Sequence, residues 1–212
     1  LGVNTAVEPT TVEKCISKAN IGFMMAPVHH PAVKHVMPTR QMLGVRTIFN
    51  ILGPLTNPAE VKHHLIGAYD VKLLKPMAQT LQQLGSKRAW LVHGEDGIDE
   101  ISISGSTKIV QLENDKIESF EITPTDAGLP THPLSSIIGG SPSENAIELR
   151  SLINGENSPY RDAVLLNSAA ALIISGKVET LKHGVEIAAR AIDSKATQQT
   201  LDLLSQTTIE QL

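Results

Sequence analysis

The 212-residue sequence predicts an α/β protein with a mixed, mainly parallel central sheet flanked by helices. Three observations carry that expectation. First, the apolar run His64–Tyr69, the amphipathic stretch Leu73–Leu84 and the apolar run Arg88–Val92 follow at the spacing of a strand–helix–strand crossover, which joins parallel strands. Second, the alternating polar and apolar runs Ile101–Leu112 and Lys116–Thr123 flank Glu113, Asn114 and Asp115, a hairpin signal that adds antiparallel pairing. Third, from Pro130 onward the pattern is helical.

The elements follow in order. Thr10 or Thr11 precedes an apolar-periodic segment and opens a helix, and the short apolar run Ile21–Ala26 reads as a buried strand. Pro27 and Pro31 break regular structure around His29 and His30. Ala32–Leu43 has helical periodicity, and a second short helix through Ile48, Phe49 and Ile51 stops at Gly53–Pro54. After the sheet come helices at Pro142–Ile153, Asp162–Ser175, Val178–Ile192 and Lys195–Leu204. The Ala-rich stretch Leu165–Gly176 is apolar on most faces, so it belongs buried against the sheet. Gly139, Gly140 and Ser141 before a helix have the look of a phosphate cradle, but Ser141, Pro142 and Glu144 already explain themselves as N-cap, first-turn proline and capping box, and the second reading is favoured.

Composition removes several function classes. At 41% hydrophobic the chain can bury one good core without disulfides or a metal, and one domain is the default. Cys15 stands alone in a helical stretch, which rules out a disulfide framework and favours a packed core thiol in a reducing compartment. No run reaches the roughly eighteen apolar residues of a bilayer span, and the start lacks the order of a signal peptide, so a cytoplasmic location is expected. A net charge of −4 with three Phe, two Tyr and one Trp disfavours nucleic-acid and membrane partners.

Chemistry concentrates in two places. Glu95, Asp96, Asp99 and Glu100 lie within six residues, directly after an apolar strand, where open α/β sheets gather ligands. Such crowding of like charge is relieved by water or by a hard cation; Mg²⁺ takes one or two carboxylates and completes its shell with water and substrate phosphate. A solvated acidic turn is the other reading. The second place is His29–Pro58. Pro31 forces extended backbone on His30, Arg40 offers a two-pronged fork for a carboxylate, and Gly53–Pro54 makes a rigid turn that a flat ring could approach. His63 and His64 open a strand with no partner in view.

The His-His-Pro to Arg40 offset, the Leu-Gly-Pro-Leu-Thr-Asn-Pro turn and the Gly-x-Asp-Glu-x-Ser context of Asp99 and Glu100 resemble the anthranilate phosphoribosyltransferase family of tryptophan biosynthesis. The resemblance runs along nearly the whole chain, which matches the family's C-terminal α/β portion, with residues 32–58 as the excursion that contributes to a small helical domain. It implies a fold of the nucleoside phosphorylase and class IV phosphoribosyltransferase type. It further implies that Asp99 and Glu100 hold the Mg²⁺ carrying the pyrophosphate of phosphoribosyl pyrophosphate. Arg40 then grips the anthranilate carboxylate, His30 lines the aromatic channel, and Gly53–Pro54 lies against the ring, while Arg46 braces its helix and Glu95 and Asp96 contribute field only.

The family's glycine-rich pyrophosphate loop and Lys-His-Gly-Asn segment would precede Leu1, so an N-terminal segment is expected to be missing and the isolated chain inactive. The family's homodimer contact belongs to that same part. Met25 stands where the family often has an aromatic, and Ile48, Phe49, Ile51 and Leu52 are expected to form an exposed patch. Two other readings compete: a non-catalytic relative that binds nucleic acid, and a pyrimidine nucleoside phosphorylase-like enzyme. The acid pair and negative charge count against the first, and the Arg40 offset with the acid pair against the second. In the favoured reading the acid pair and Arg40 face each other across one cleft.

Overall fold

A computed structural model describes residues 1–29, 42, 44 and 47–210. The chain divides into two compact units, Leu1–Ala59 with Ser194–Leu212, and Glu60–Asp193.

In the first unit helix α1 (Pro9–Ala19) packs against the C-terminal helix, Ala196–Ile209. Cys15, Ala19 and Leu204 form the shared core, with Val3 packed beside them. The thiol reading of Cys15 holds: it is 1% exposed, and burial raises its pKa despite the nearby Lys18 charge. The chain start is tied to the last helix by Asn4 N–H donating to Thr208 Oγ1 (3.1 Å) and Ser205 Oγ donating to Gly2 O (2.7 Å). Helix α1 begins at Pro9, with Glu8 as a cap position that makes no side-chain bond, rather than at Thr10 or Thr11. Proline is suited to a first turn because its missing N–H would have had no helical partner there.

The expected strand Ile21–Ala26 is absent. Residues 21–25 carry no ladder, Ile21 and Phe23 are exposed, and a single helical turn α2 spans Ala26–His29. An apolar run becomes a strand only against a neighbouring edge, and none among the described residues meets it. The helix expected at Ala32–Leu43 falls mostly outside the described residues. Helix α3 runs Phe49–Leu55, through Gly53–Pro54 rather than stopping there. The stop comes at Thr56, whose N–H and hydroxyl both bond Leu52 O. Of the expected apolar patch, Ile48 is 60% exposed while Phe49, Ile51 and Leu52 are half-buried.

The second unit holds the sheet, in the order β1 (His63–Gly67), β2 (Arg88–Gly94), β3 (Thr107–Glu113), β4 (Lys116–Ile122). It is mixed, as expected. The weighting toward parallel pairs is not seen among the described strands: β1–β2 is parallel, whereas β2–β3 and β3–β4 are antiparallel. Helix α4 (Leu74–Gln83) makes the crossover between β1 and β2 and packs on β2 and β3. The β3–β4 hairpin turns at Asn114 and Asp115, both with positive φ (51° and 60°), the pair of left-handed residues that a two-residue turn requires. The strand expected at Ile101–Leu112 begins only at Thr107. Its first six residues form a loop, because Ile101, Ser102 and Ile103 are buried in the unit without joining a ladder.

On the sheet, Trp90 donates Nε1–H to its cross-strand partner Gln111 (2.7 Å) and meets Phe120 edge to face at 5.4 Å. The helices are α5 (Pro142–Ile153), α6 (Pro159–Ile174) and α7 (Leu181–Asp193); the C-terminal helix is α8. Helix α6 packs on β1 and β2, with Leu165, Leu166, Ala169 and Ala170 buried, as its apolar surface requires. Helix α7 crosses α6 closely: a Cβ on Gly184 would stand 2.7 Å from Ala169.

Candidate active site

Strand β1 ends at Gly67, opposite Val92, and its parallel neighbour β2 runs on to Gly94, from which the loop Glu95–Ser106 leaves. His93 braces this end, its Nδ1 lying 2.7 Å from Ala68 O. The loop folds back by Gly94 N–H donating to Ile98 O and Glu95 N–H donating to Ser106 O, each 2.9 Å.

Asp96 is a structural centre of the loop. Its carboxylate accepts from Ser102 Oγ (2.7 Å), Ser104 Oγ and the Ile98 N–H (3.2 Å). Burial pushes its pKa upward, yet the bonds donated by Ser104, Ser102 and Ile98 outweigh burial and hold the carboxyl below its ordinary value. These bonds give Asp96 a place in holding the loop's shape. Glu95 lines a cavity of about 430 Å³ with Val71, His93, Ser106, Lys108 and Glu121.

Asp99 and Glu100 are both exposed at the carboxyl ends of β1 and β2. The Asp99 backbone lies directly on Gly67: a Cβ there would stand 1.5 Å from Asp99 O. Only a residue without a side chain permits that approach. Among the described residues no hydrogen bond or ion pair engages either carboxylate, and no cluster of three or more His, Cys, Asp or Glu side chains is poised for a metal. Two adjacent exposed carboxylates fit Mg²⁺, which completes its shell from water and phosphate; they do not fit an ion requiring a closed protein cage.

The loop is also held from α6, through a residue the sequence reading did not single out. Asn167 accepts the Ile101 N–H at Oδ1 and donates Nδ2 to Ile101 O and Ala163 O, all at 3.0 Å. A lone amide within the apolar run Leu165–Ile174 was the available signal. Nearby, His132 donates its backbone N–H to Ile103 O (2.9 Å), while its Nε2 lies 2.8 Å from Asp162 Oδ2.

A larger cavity, about 680 Å³, is lined by residues 136–140 with Glu144, Asn145, Glu148 and Tyr160. On its rim Gly140 N–H donates to Asn145 Oδ1 (2.8 Å), and Ser141 N–H donates to Glu144 Oε2 (2.7 Å) in the expected capping box. Burial, with the charges of Glu100 and Glu148, raises the Tyr160 pKa.

Of the expected acceptor residues, His30 and Arg40 lie outside the described residues, as does Arg46, so the expected facing of Arg40 and the acid pair does too. Gly53 and Pro54 occupy the last turn of α3; Pro54 is exposed, and among the described residues a Cβ on Gly53 would meet nothing within 4 Å. His64, expected to lack a partner, is 8% exposed with Nε2 3.0 Å from Ser86 Oγ.

The chain is 52% identical over 201 residues to the anthranilate phosphoribosyltransferase of Parvibaculum lavamentivorans, covering 95% of this chain and 59% of that protein. It is 50% identical over 204 residues to the enzyme of the same name from Rhodopseudomonas palustris, covering 96% and 60%. The chain thus spans about three-fifths of the relatives it matches. Among solved structures, the anthranilate phosphoribosyltransferase of Thermus thermophilus superposes with a TM-score of 0.91 at 38% identity, over 98% of this chain and 61% of that one. The Saccharomyces cerevisiae enzyme in complex with PRPP and Mg superposes with a TM-score of 0.90 at 28% identity, over 98% and 60%. The model of the glycosyl transferase family, a/b domain, matches residues 1–198, and the chain belongs to that family.

Proposed function

We propose that this chain is the acceptor- and metal-binding part of an anthranilate phosphoribosyltransferase, which transfers the 5-phosphoribosyl group of phosphoribosyl pyrophosphate to the amine of anthranilate and releases pyrophosphate. The observation that carries the proposal is the exposed Asp99–Glu100 pair, set on Gly67 at the carboxyl end of a parallel strand pair, in a chain half identical to enzymes of that name. A relative that superposes along 98% of this chain binds PRPP and Mg, the two ligands an acid pair of this kind would serve together.

In this reading Asp99 and Glu100 hold Mg²⁺, which when bound neutralises the charge developing on the departing pyrophosphate. Asp96 is assigned to the loop's shape and not to the metal, a reading supported by the three hydrogen bonds it accepts within the loop. Gly53 and Pro54 present an unobstructed surface to a flat ring, and the acceptor's carboxylate and channel are assigned to Arg40 and His30. The anthranilate amine is itself the nucleophile, so the residues act by positioning and electrostatics and no strong base is needed. The remaining donor contacts are assigned to the part of the relatives' length that this chain does not span, so the chain alone is expected to be inactive and the full-length enzyme to work as a homodimer. No helix among the described residues is long and apolar enough to cross a membrane. We place the activity in the cytoplasm, in accord with the single buried thiol.

The test uses full-length protein containing this chain, assayed for Mg²⁺-dependent consumption of anthranilate with phosphoribosyl pyrophosphate. Asp99→Asn should raise the Mg²⁺ requirement and cut turnover by roughly 10² or more. Unchanged turnover in that variant, or phosphorolysis of thymidine in place of transfer, would overturn the assignment.

A further inference from the structure

We propose that Asn167 is a positioning residue for the Asp99–Glu100 pair, acting through the backbone of Ile101; the proposal rests on the metal-assisted reading above. Among the described residues no hydrogen bond or ion pair orients either carboxylate, so the backbone alone sets where the two side chains begin. Upstream, the loop is fixed by the Asp96 bonds to Ser102 and Ser104 and by the contact of Asp99 with Gly67. Downstream, Asn167 fixes it. The Ile101 N–H that it receives belongs to the peptide plane whose carbonyl is that of Glu100, so one 3.0 Å bond sets the plane next to the metal-side carboxylate. The Ile101 carbonyl that it contacts belongs to the following plane, so the two bonds together fix both peptides flanking Ile101.

The amide suits this task better than any other side chain of its size. One oxygen accepts while one NH₂ donates twice, to Ile101 O and to Ala163 O of its own helix, which locks the amide plane and defines which end carries the oxygen. Ile101 is 2% exposed, so without Asn167 its N–H and C=O would be buried and unpaired. The neighbours Leu165, Leu166, Ala169 and Ala170 are all buried and apolar, and a residue serving packing alone would match them. Helix α6 thereby links the sheet's core to the acid pair.

The experiment measures transfer by the full-length enzyme against Mg²⁺ concentration, for wild type, Asn167→Ala, Asp99→Asn and the double variant, with melting curves for each. Asn167→Ala should raise the Mg²⁺ concentration for half-maximal rate by roughly tenfold or more, as loss of a group that orients metal ligands does, while the rate at saturating Mg²⁺ largely recovers. The double variant should need little more Mg²⁺ than Asp99→Asn, since both changes act on one pair. A residue that merely stabilises the fold would lower the melting temperature and leave the Mg²⁺ requirement in place. If Asn167→Ala does not accumulate folded, Asn167→Asp, which keeps the acceptor and loses both donations, carries the same readout. A Mg²⁺ requirement within twofold of wild type at Asn167, alongside a clear shift at Asp99→Asn, overturns the positioning role and spares the transferase reading. No shift at Asp99→Asn overturns both.

Discussion

Replacing Gly67 with alanine tests whether the acid pair is seated on the end of β1. The added Cβ would stand 1.5 Å from Asp99 O, 2.5 Å from Asp99 C and 3.2 Å from Asp99 Cα. A carbon and a carbonyl oxygen ordinarily approach to roughly 3.3 Å, so the clearance falls short by about 1.8 Å. The obstructing atoms are backbone and cannot turn aside as the tip of a side chain would. Relief requires the loop to lift, and the Asn167 bonds to Ile101 and the Asp96 bonds to Ser102 and Ser104 resist that movement. Overpacking of this kind costs about 1–3 kcal/mol, equivalent to about 2–4 °C of melting temperature per kcal/mol in a chain of this size. A displacement on the order of 1 Å at a reacting centre can cost 10²-fold, so Mg²⁺-dependent transfer by the full-length enzyme should fall by at least about that factor. Gly105→Ala in the same loop is the control: its Cβ meets only Glu95 Oε2, at 3.5 Å, an ordinary contact, so its melting temperature should stay near wild type. A Gly67→Ala protein with wild-type melting and wild-type Mg²⁺ activation would show that the Asp99 backbone does not rest on β1.

Gly53→Ala should separate stability from acceptor binding. Its Cβ enters open space on a helix, so the change should be neutral or stabilise by about 0.5–1 kcal/mol, while the KM for anthranilate rises as the methyl group intrudes on the ring's approach; an unchanged KM would remove Gly53 from the site. His64 should make stability pH-dependent. Burial depresses its pKa, helped by the His63 and Lys62 charges and opposed by a bond the ring donates to the Val61 backbone, so the folded chain binds fewer protons there than the unfolded chain. Its contribution is complete above the unfolded value of about 6.5 and is lost as pH falls below it, so melting temperature should decline from pH 7 to pH 5 more steeply in wild type than in His64→Gln. Equal slopes would refute this.

Elements with strong local signals were legible. The capping box at Ser141 and Glu144 and the left-handed turn at Asn114–Asp115 need only nearby residues, and both sit where their residue types place them. The alternation of Ile101–Leu112 misled, because Ile101, Ser102 and Ile103 are all buried in a loop and join no ladder. Ile21–Ala26 misled for a related reason, as apolar residues without an edge to pair with remain irregular. Gly53–Pro54 read as a helix stop, yet α3 continues to Leu55 and the bonds of Thr56 end it.

The residue types of the acid pair, and their place after a strand, were present in the sequence by itself, because a loop leaving the carboxyl end of a strand is a local fact and hard cations select carboxylates. That Asp96, among four neighbouring carboxylates, holds the loop together was decided only in three dimensions. It accepts from two serines that lie six and eight residues away, and the Asp99 backbone is seated on a glycine of β1. Asn167 reaches the same loop from 66 positions along the chain, a separation that no periodicity or motif encodes and that only the packing of α6 on the sheet closes.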